Sequence, residues 1–201
     1  MDAPERSVDP ILERYSRVIE YSFPVVQPSY EQTDVIGWQT ANAAVQTAGR
    51  EIFDRLGAYL NVSFVEVTDP LDMNVVAIGV SSQIETVGFA YFPNPDFEVG
   101  MDVFISDDYV APRFVGSETT NFDYEIMLHE IYHALGLKHP FEADGDNTNV
   151  LGSREDTSPY TVMSYNLDPS TFAGDARVLD VMALTELYGV NPSYRSEDDT
   201  Y

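Results

Sequence analysis

No cysteine occurs anywhere in the 201 residues, so neither a disulfide framework nor a cysteine-ligated zinc can hold this chain together. Basic residues are scarce: 10 lysines and arginines stand against 34 aspartates and glutamates, a formal charge of −24. A phosphate backbone is gripped by local positive charge, so nucleic acid is excluded as a natural partner. The acidic excess reads as a solvated surface that maintains solubility. Cationic substrates or calcium are the alternatives, since the total does not say where the charges lie. Long apolar runs are missing too. None approaches the ~20 residues that cross a bilayer, which argues against a membrane partner. The opening Met1-Asp2-Ala3-Pro4-Glu5-Arg6 also lacks the basic-then-apolar form of a secretory leader. A hydrophobic content of 44% is ordinary for one globular domain of this length.

Histidine is the rarest informative residue. Only three occur, and all fall within His129-Glu130-Ile131-Tyr132-His133-Ala134-Leu135-Gly136-Leu137-Lys138-His139. On a helix, His129 and His133 are four residues apart and project from the same face, where two imidazoles can bind one ion together. Glu130 is turned about 100° further around the axis, placing a carboxylate beside the ion without making it a ligand. Gly136 tolerates positive φ and ends the helix, His139 swings back toward the ion, and Pro140 keeps the helix from resuming. Three protein ligands leave a fourth position for water, the arrangement of a catalytic zinc. The competing reading is a pair of histidines that serve only the surface or the core. It leaves unexplained the glycine and the third histidine at fixed offsets in a chain with no histidine elsewhere.

Val18-Ile19-Glu20-Tyr21-Ser22-Phe23 alternates and stops before Pro24, as a strand does. Between Trp38 and Leu56 the apolar residues Ala41, Val45, Ala48, Ile52, Phe53 and Leu56 form one helical stripe, with Gly57 as its expected stop. Strands are expected at Asn61–Val67, Asn74–Val80, Thr86–Phe92 and Met101–Ile105. The histidine helix is expected to start near Asn121, with Asp123 and Glu125 complementing its dipole and Tyr124, Leu128, Ile131 and Leu135 packing on the sheet. A last helix runs from about Ala176 to Tyr188 and closes at Gly189.

Downstream, Glu155-Asp156-Thr157-Ser158-Pro159-Tyr160-Thr161-Val162-Met163-Ser164-Tyr165 resembles the Met-turn region of serralysin-type proteases of the metzincin clan. So do Tyr21-Ser22-Phe23, Gly88-Phe89-Ala90-Tyr91, Leu179-Asp180-Val181-Met182-Ala183-Leu184 and Leu187-Tyr188-Gly189-Val190-Asn191, in the family's order. The resemblance implies an α+β fold. Its parts are a twisted mixed five-stranded sheet with two long helices, and a smaller C-terminal subdomain carrying the Met-turn and a last helix. It further implies a zinc-dependent endopeptidase with His129, His133 and His139 on the metal and Glu130 as the base. Met163 forms an apolar floor, and Tyr165 is able to coordinate the ion and swing away to stabilise the transition state. Tyr165 packed at the turn is the plainer alternative. Gly88-Phe89-Ala90-Tyr91 is expected on an edge strand that binds extended peptide through main-chain hydrogen bonds; an interior position without substrate contact is the alternative. Tyr132 stands where many serralysins have glycine, and packing is expected of it in preference to rimming a specificity pocket.

By the same resemblance, residues 1–17 form an N-terminal extension or short propeptide. Residues 18–191 form the catalytic domain, and residues 192–201 lead toward a calcium-binding β-roll whose glycine- and aspartate-rich repeats are absent from this sequence. With no cysteine, a thiolate cannot cap the zinc; a carboxylate such as Asp2 or Asp9 is the weaker substitute, and a loosely ordered terminus is preferred. Asp144-Gly145-Asp146-Asn147-Thr148-Asn149 resembles the start of a calcium loop but lacks the glycine and glutamate that complete one, so a plain acidic loop is preferred. Secretion through a transporter that reads a C-terminal signal, protein or peptide substrates, and a monomeric state complete the expectation. A non-catalytic member that binds zinc and peptide is the alternative function, though such a module has no need of Glu130.

Overall fold

Val75-Val76-Ala77-Ile78-Gly79-Val80-Ser81 is apolar on both faces until its last residue, the pattern of a strand covered on both sides. In the computed structural model it is the central strand of the sheet. The structure describes residues 17–29, 35–68, 75–94, 101–108, 122–144, 147–168, 170 and 172–194. Residues 1–16 of the expected extension, Asn74, Asn121, Gly145, Asp146 and residues 195–201 lie outside the described residues.

The elements in chain order are β1 (Val18–Ser22), β2 (Gln39–Thr40), α1 (Ala43–Tyr59), β3 (Ser63–Glu66), β4 (Val75–Ser81), β5 (Gly88–Ala90), β6 (Val103–Ser106), α2 (Phe122–Ala134) and α3 (Val178–Tyr188). The sheet order is β3-β1-β4-β6-β5, with β2 attached to β4. β1 runs parallel to β3 and β4, β4 parallel to β6, and β5 antiparallel to β6 in the register Gly88↔Ile105. This is the α+β architecture of a mixed sheet with helices that the resemblance implies. β5 lies on the edge, where its outer backbone can accept another strand.

A sixth strand was not expected, and the length of β1 explains it. β1 stops short of Pro24 and pairs only with Val75–Ala77 of β4, so β2 takes up the remaining edge through Gln39↔Val80 and Thr40↔Gly79. The Thr40 hydroxyl donates to the Pro24 carbonyl at 2.8 Å and ties the two segments together. The helical stripe therefore begins later than Trp38. Asn42 caps α1, its side chain accepting from the Ala44 and Val45 N–H groups at 2.9 and 3.0 Å. Nor does Gly57 end α1, which continues to Tyr59. Val45, Ala48, Ile52, Phe53 and Leu56 are buried as the periodicity requires, and Phe53 stacks on Tyr21 at 4.3 Å. Each of these side chains larger than alanine contributes about 1.5–3 kcal/mol by leaving water.

The expected inner face of α2, Tyr124, Leu128, Ile131 and Leu135, is buried. The helix is covered far more completely than one face: every residue of it except Phe122 and Ile126 is buried. α1, β5 and β6 pack against it, and buried Val162, Met163, Ala173, Leu184 and Tyr188 from the C-terminal part complete the core. The Tyr188 hydroxyl donates to the Leu135 carbonyl at 2.9 Å, fastening α3 to the end of α2. Tyr132 is fully buried, which answers the choice between packing and a pocket rim in favour of packing. Asp123 and Glu125 stand in the first turn as expected, and Glu125 is 3% exposed. No helix among the described residues is long and apolar enough to cross a membrane.

Candidate metal centre

α2 presents His129 and His133 one turn apart, and the way it ends presents His139. Gly136 takes φ 100°, Gly136 N–H donates to His133 O and Leu137 N–H to Tyr132 O, both at 2.9 Å. These paired bonds form a Schellman ending, which reverses the chain within a few residues. His139 Nε2 is thereby brought to 3.1 Å from Nε2 of both His129 and His133.

The other nitrogen of each ring faces an acceptor. His129 Nδ1 lies 3.0 Å from Val162 O, His133 Nδ1 2.6 Å from Leu137 O, and His139 Nδ1 2.9 Å from Glu142 Oε2. Carbonyl and carboxylate oxygens only accept, so each Nδ1 carries the proton and three Nε2 lone pairs converge. Lone pairs this close repel unless a cation lies among them. A tetrahedral zinc with Zn–N of about 2.0–2.1 Å holds its ligand nitrogens about 3.3 Å apart, near the spacing found here. Burial also holds the His129 imidazole down to about 4, keeping it neutral as ligation requires. The donor set fits zinc. Among the described residues this is the one cluster of histidine and carboxylate side chains with such convergence.

Glu130 is 5% exposed, and burial pushes its carboxyl up to about 8. A divalent cation on the neighbouring imidazoles opposes that shift and favours the carboxylate. The edge strand passes directly over this side chain, and a β-carbon at Gly88 would stand 2.8 Å from Glu130 Cγ. Tyr165 covers the cluster from the opposite side. Its ring lies 4.6 Å from that of His139, 5.8 Å from that of His129 and 5.0 Å from that of Phe141, and the residue is 63% exposed.

A cavity of about 290 Å³ opens over the three histidines, Glu130 and Tyr165. Gly88, Phe89 and Ala90 of β5 line it, together with Phe92, Lys138, Glu142 and Asp144. Tyr91 packs edge-on against Phe89 and Phe104, at 5.7 and 6.4 Å, while Phe92 lies edge-on to His133 at 5.3 Å. Asp144 pairs through its backbone with Asn147, closing the acidic loop on itself. Lys138 Nζ donates to the carbonyls of His139, Glu142 and Asn149, which binds the bend carrying the third histidine.

Met163 is buried in the segment whose Val162 carbonyl orients His129. Asp180 of α3 fixes that segment. Its carboxylate accepts from the Thr161 hydroxyl at 2.6 Å, Val162 N–H at 3.0 Å and Arg177 N–H at 2.8 Å, while burial raises its pKa. Sequence reasoning did not find the roles of Glu142, Phe92 and Asp180. Glu142 had a signal, a carboxylate three residues beyond the last histidine, and Asp180 lay within the family-like Leu179–Leu184 motif; Phe92 had none.

The chain matches no protein-family model. It is similar to the serralysin of Proteus mirabilis, 28% identical over 207 residues that cover 91% of this chain and 42% of that protein. The serralysin of Photorhabdus laumondii is 24% identical over 204 residues, covering 91% and 41%. Metallopeptidase AprA of Pseudomonas marginalis is 28% identical over 158 residues, covering 70% and 33%. The chain thus spans about two-fifths of the length of the curated serralysins it matches. These similarities bear out the resemblance read from the motifs: the chain is serralysin-like over nine-tenths of its length.

Proposed function

We propose that this relative of the serralysins is a zinc-dependent endopeptidase. The observation that carries the reading is the convergence of three Nε2 lone pairs, each ring oriented through Nδ1, beside a buried carboxylate at the floor of an open cavity. When bound, zinc supplies Lewis acidity, which polarises a peptide carbonyl and makes water a better nucleophile at neutral pH. His129, His133 and His139 hold the ion. Glu130 takes the proton of the attacking water and passes it to the departing amine. Tyr165, stacked on His129 and tilted against His139, directs its hydroxyl toward the developing oxyanion, where a preorganised donor lowers the barrier. β5, the last strand of the sheet among the described residues, offers its outer edge to the substrate main chain, with Gly88, Phe89 and Ala90 in contact and Tyr91 packed edge-on against Phe89. Met163 keeps the segment behind the ligands apolar. The same proposal carries protein or peptide substrates and secretion.

Elemental analysis alongside a casein assay tests this. One zinc per chain is expected, with turnover that a chelator abolishes and added zinc restores. The Glu130→Gln protein should keep its zinc and lose about 10²–10⁴-fold in rate. Zinc without turnover in the parent protein would leave only the peptide-binding alternative, and a chain that takes up no metal would remove both.

A further inference from the structure

A second cavity adjoins Glu130 and His129. It encloses about 310 Å³ between β5 and the Val162–Leu167 side, with Phe122, Ile126, Val162 and Leu167 as apolar walls. Glu125 lines it, one helical turn before His129. One of its carboxylate oxygens accepts from the Ala173 N–H at 3.1 Å, and the other, itself closed to solvent, has no hydrogen-bond partner among the described residues; the residue is 3% exposed. A buried acceptor left unpaired carries a free-energy cost that an arriving donor removes. Arg177 and Asp180 act on Glu125 with opposite signs, and neither lines this cavity. Glu85 adds a carboxylate at the rim, and among the described lining residues there is no lysine or arginine.

We propose that this cavity receives a lysine or arginine side chain next to the scissile bond, and that Glu125 determines this specificity. The inference rests on the endopeptidase reading and names its substrate class. Both cationic side chains join an apolar stem to a charged tip, matching apolar walls that end at a carboxylate. Glu125 is offset from His129 by about 6 Å along the helix axis, within the span of such a stem. A neutral side chain fills the walls equally well but leaves the carboxylate unpaired, and an acidic one adds a like charge. Glu142 and Asp144 outnumber Lys138 in the neighbouring cavity, and Lys138 Nζ is engaged with backbone carbonyls, so the approach favours cationic peptides.

The test maps cleaved bonds in a peptide library by mass spectrometry. It then compares two peptides that differ only in lysine or norleucine at the mapped position. The zinc-loaded parent is expected to favour lysine by about tenfold or more in kcat/KM. Glu125→Gln keeps an acceptor for Ala173 N–H but loses the charge, and should bring the ratio close to one. Because both rates come from one preparation, partial folding or metal loading cancels. Equal rates in the parent, or a lysine preference untouched in Glu125→Gln, overturns the proposal while leaving the endopeptidase intact. If no library peptide is cut, the endopeptidase reading fails instead. Two library peptides that differ only in lysine or norleucine are then compared for binding to the Glu130→Gln protein by fluorescence anisotropy, where a lysine preference supports the role of Glu125 and equal affinity refutes it.

Discussion

Gly88→Ala is the smallest change that should disable the site without touching a ligand. The backbone at Gly88 lies outside the positive-φ range, so alanine meets no conformational objection there. The obstacle is steric. A new β-carbon would lie 2.8 Å from Glu130 Cγ, 3.0 Å from Oε1 and 3.1 Å from Cδ. Ordinary carbon–carbon contact begins at about 3.5 Å, so the Glu130 side chain, or the strand, must yield by about 0.7 Å. Glu130 can yield only toward the cavities it lines, and that movement takes its carboxylate away from its place beside the histidines. A misplacement approaching 1 Å costs about 100-fold in rate, or about 2.7 kcal/mol in the barrier. The histidines are not displaced, so zinc content should hold. The assay is kcat/KM on a quenched fluorescent peptide, with zinc analysis and thermal melting on the same preparation. A Gly88→Ala protein with full zinc and the parent rate would refute the placement of Glu130 against the edge strand.

Three further outcomes are expected. Glu142→Ala removes the carboxylate that orients His139, and zinc affinity measured by chelator competition should fall about 10–100-fold; an unchanged affinity contradicts the role given to Glu142. Asp180→Ala strips three donors of their acceptor and should cost about 3 kcal/mol or more, lowering Tm by about 6–12 °C; a melting point at the parent value rejects Asp180 as the anchor of the turn. The last concerns pH in the metal-free protein. A carboxyl near 4.3 when unfolded and raised to about 8 when folded binds more protons in the native state, so stability falls as pH rises through that window. Glu130→Gln lacks this loss, so its melting advantage over the parent, in chelator, should widen from pH 5 toward pH 8; a constant gap would count against the burial of Glu130.

The histidine helix was legible because its chemistry follows a strict period: residues four apart share a face, and a glycine stop can be recognised by its place after the last turn. The fully buried β4 was legible for a similar reason, as an unbroken apolar run. β2 was not, because two polar residues have no pattern of their own and pair only where β1 runs out. Glu125 was legible only as a first-turn partner of the helix dipole, because that complementarity is local, whereas its hydrogen bond from Ala173 N–H spans 48 positions. The orientation of His129 likewise depends on a main-chain oxygen 33 positions downstream, which no residue type announces.

The three imidazoles differ in how they are steadied, and that difference governs how the centre can evolve or be engineered. Two of them lean on peptide oxygens, Val162 and Leu137, which every amino acid supplies and no point mutation deletes. The third leans on a single replaceable carboxylate on the surface. Heritable variation in how tightly the ion is held, or which ion is preferred, is therefore channelled through position 142. An engineer seeking a different metal would start there, leaving the ligands alone.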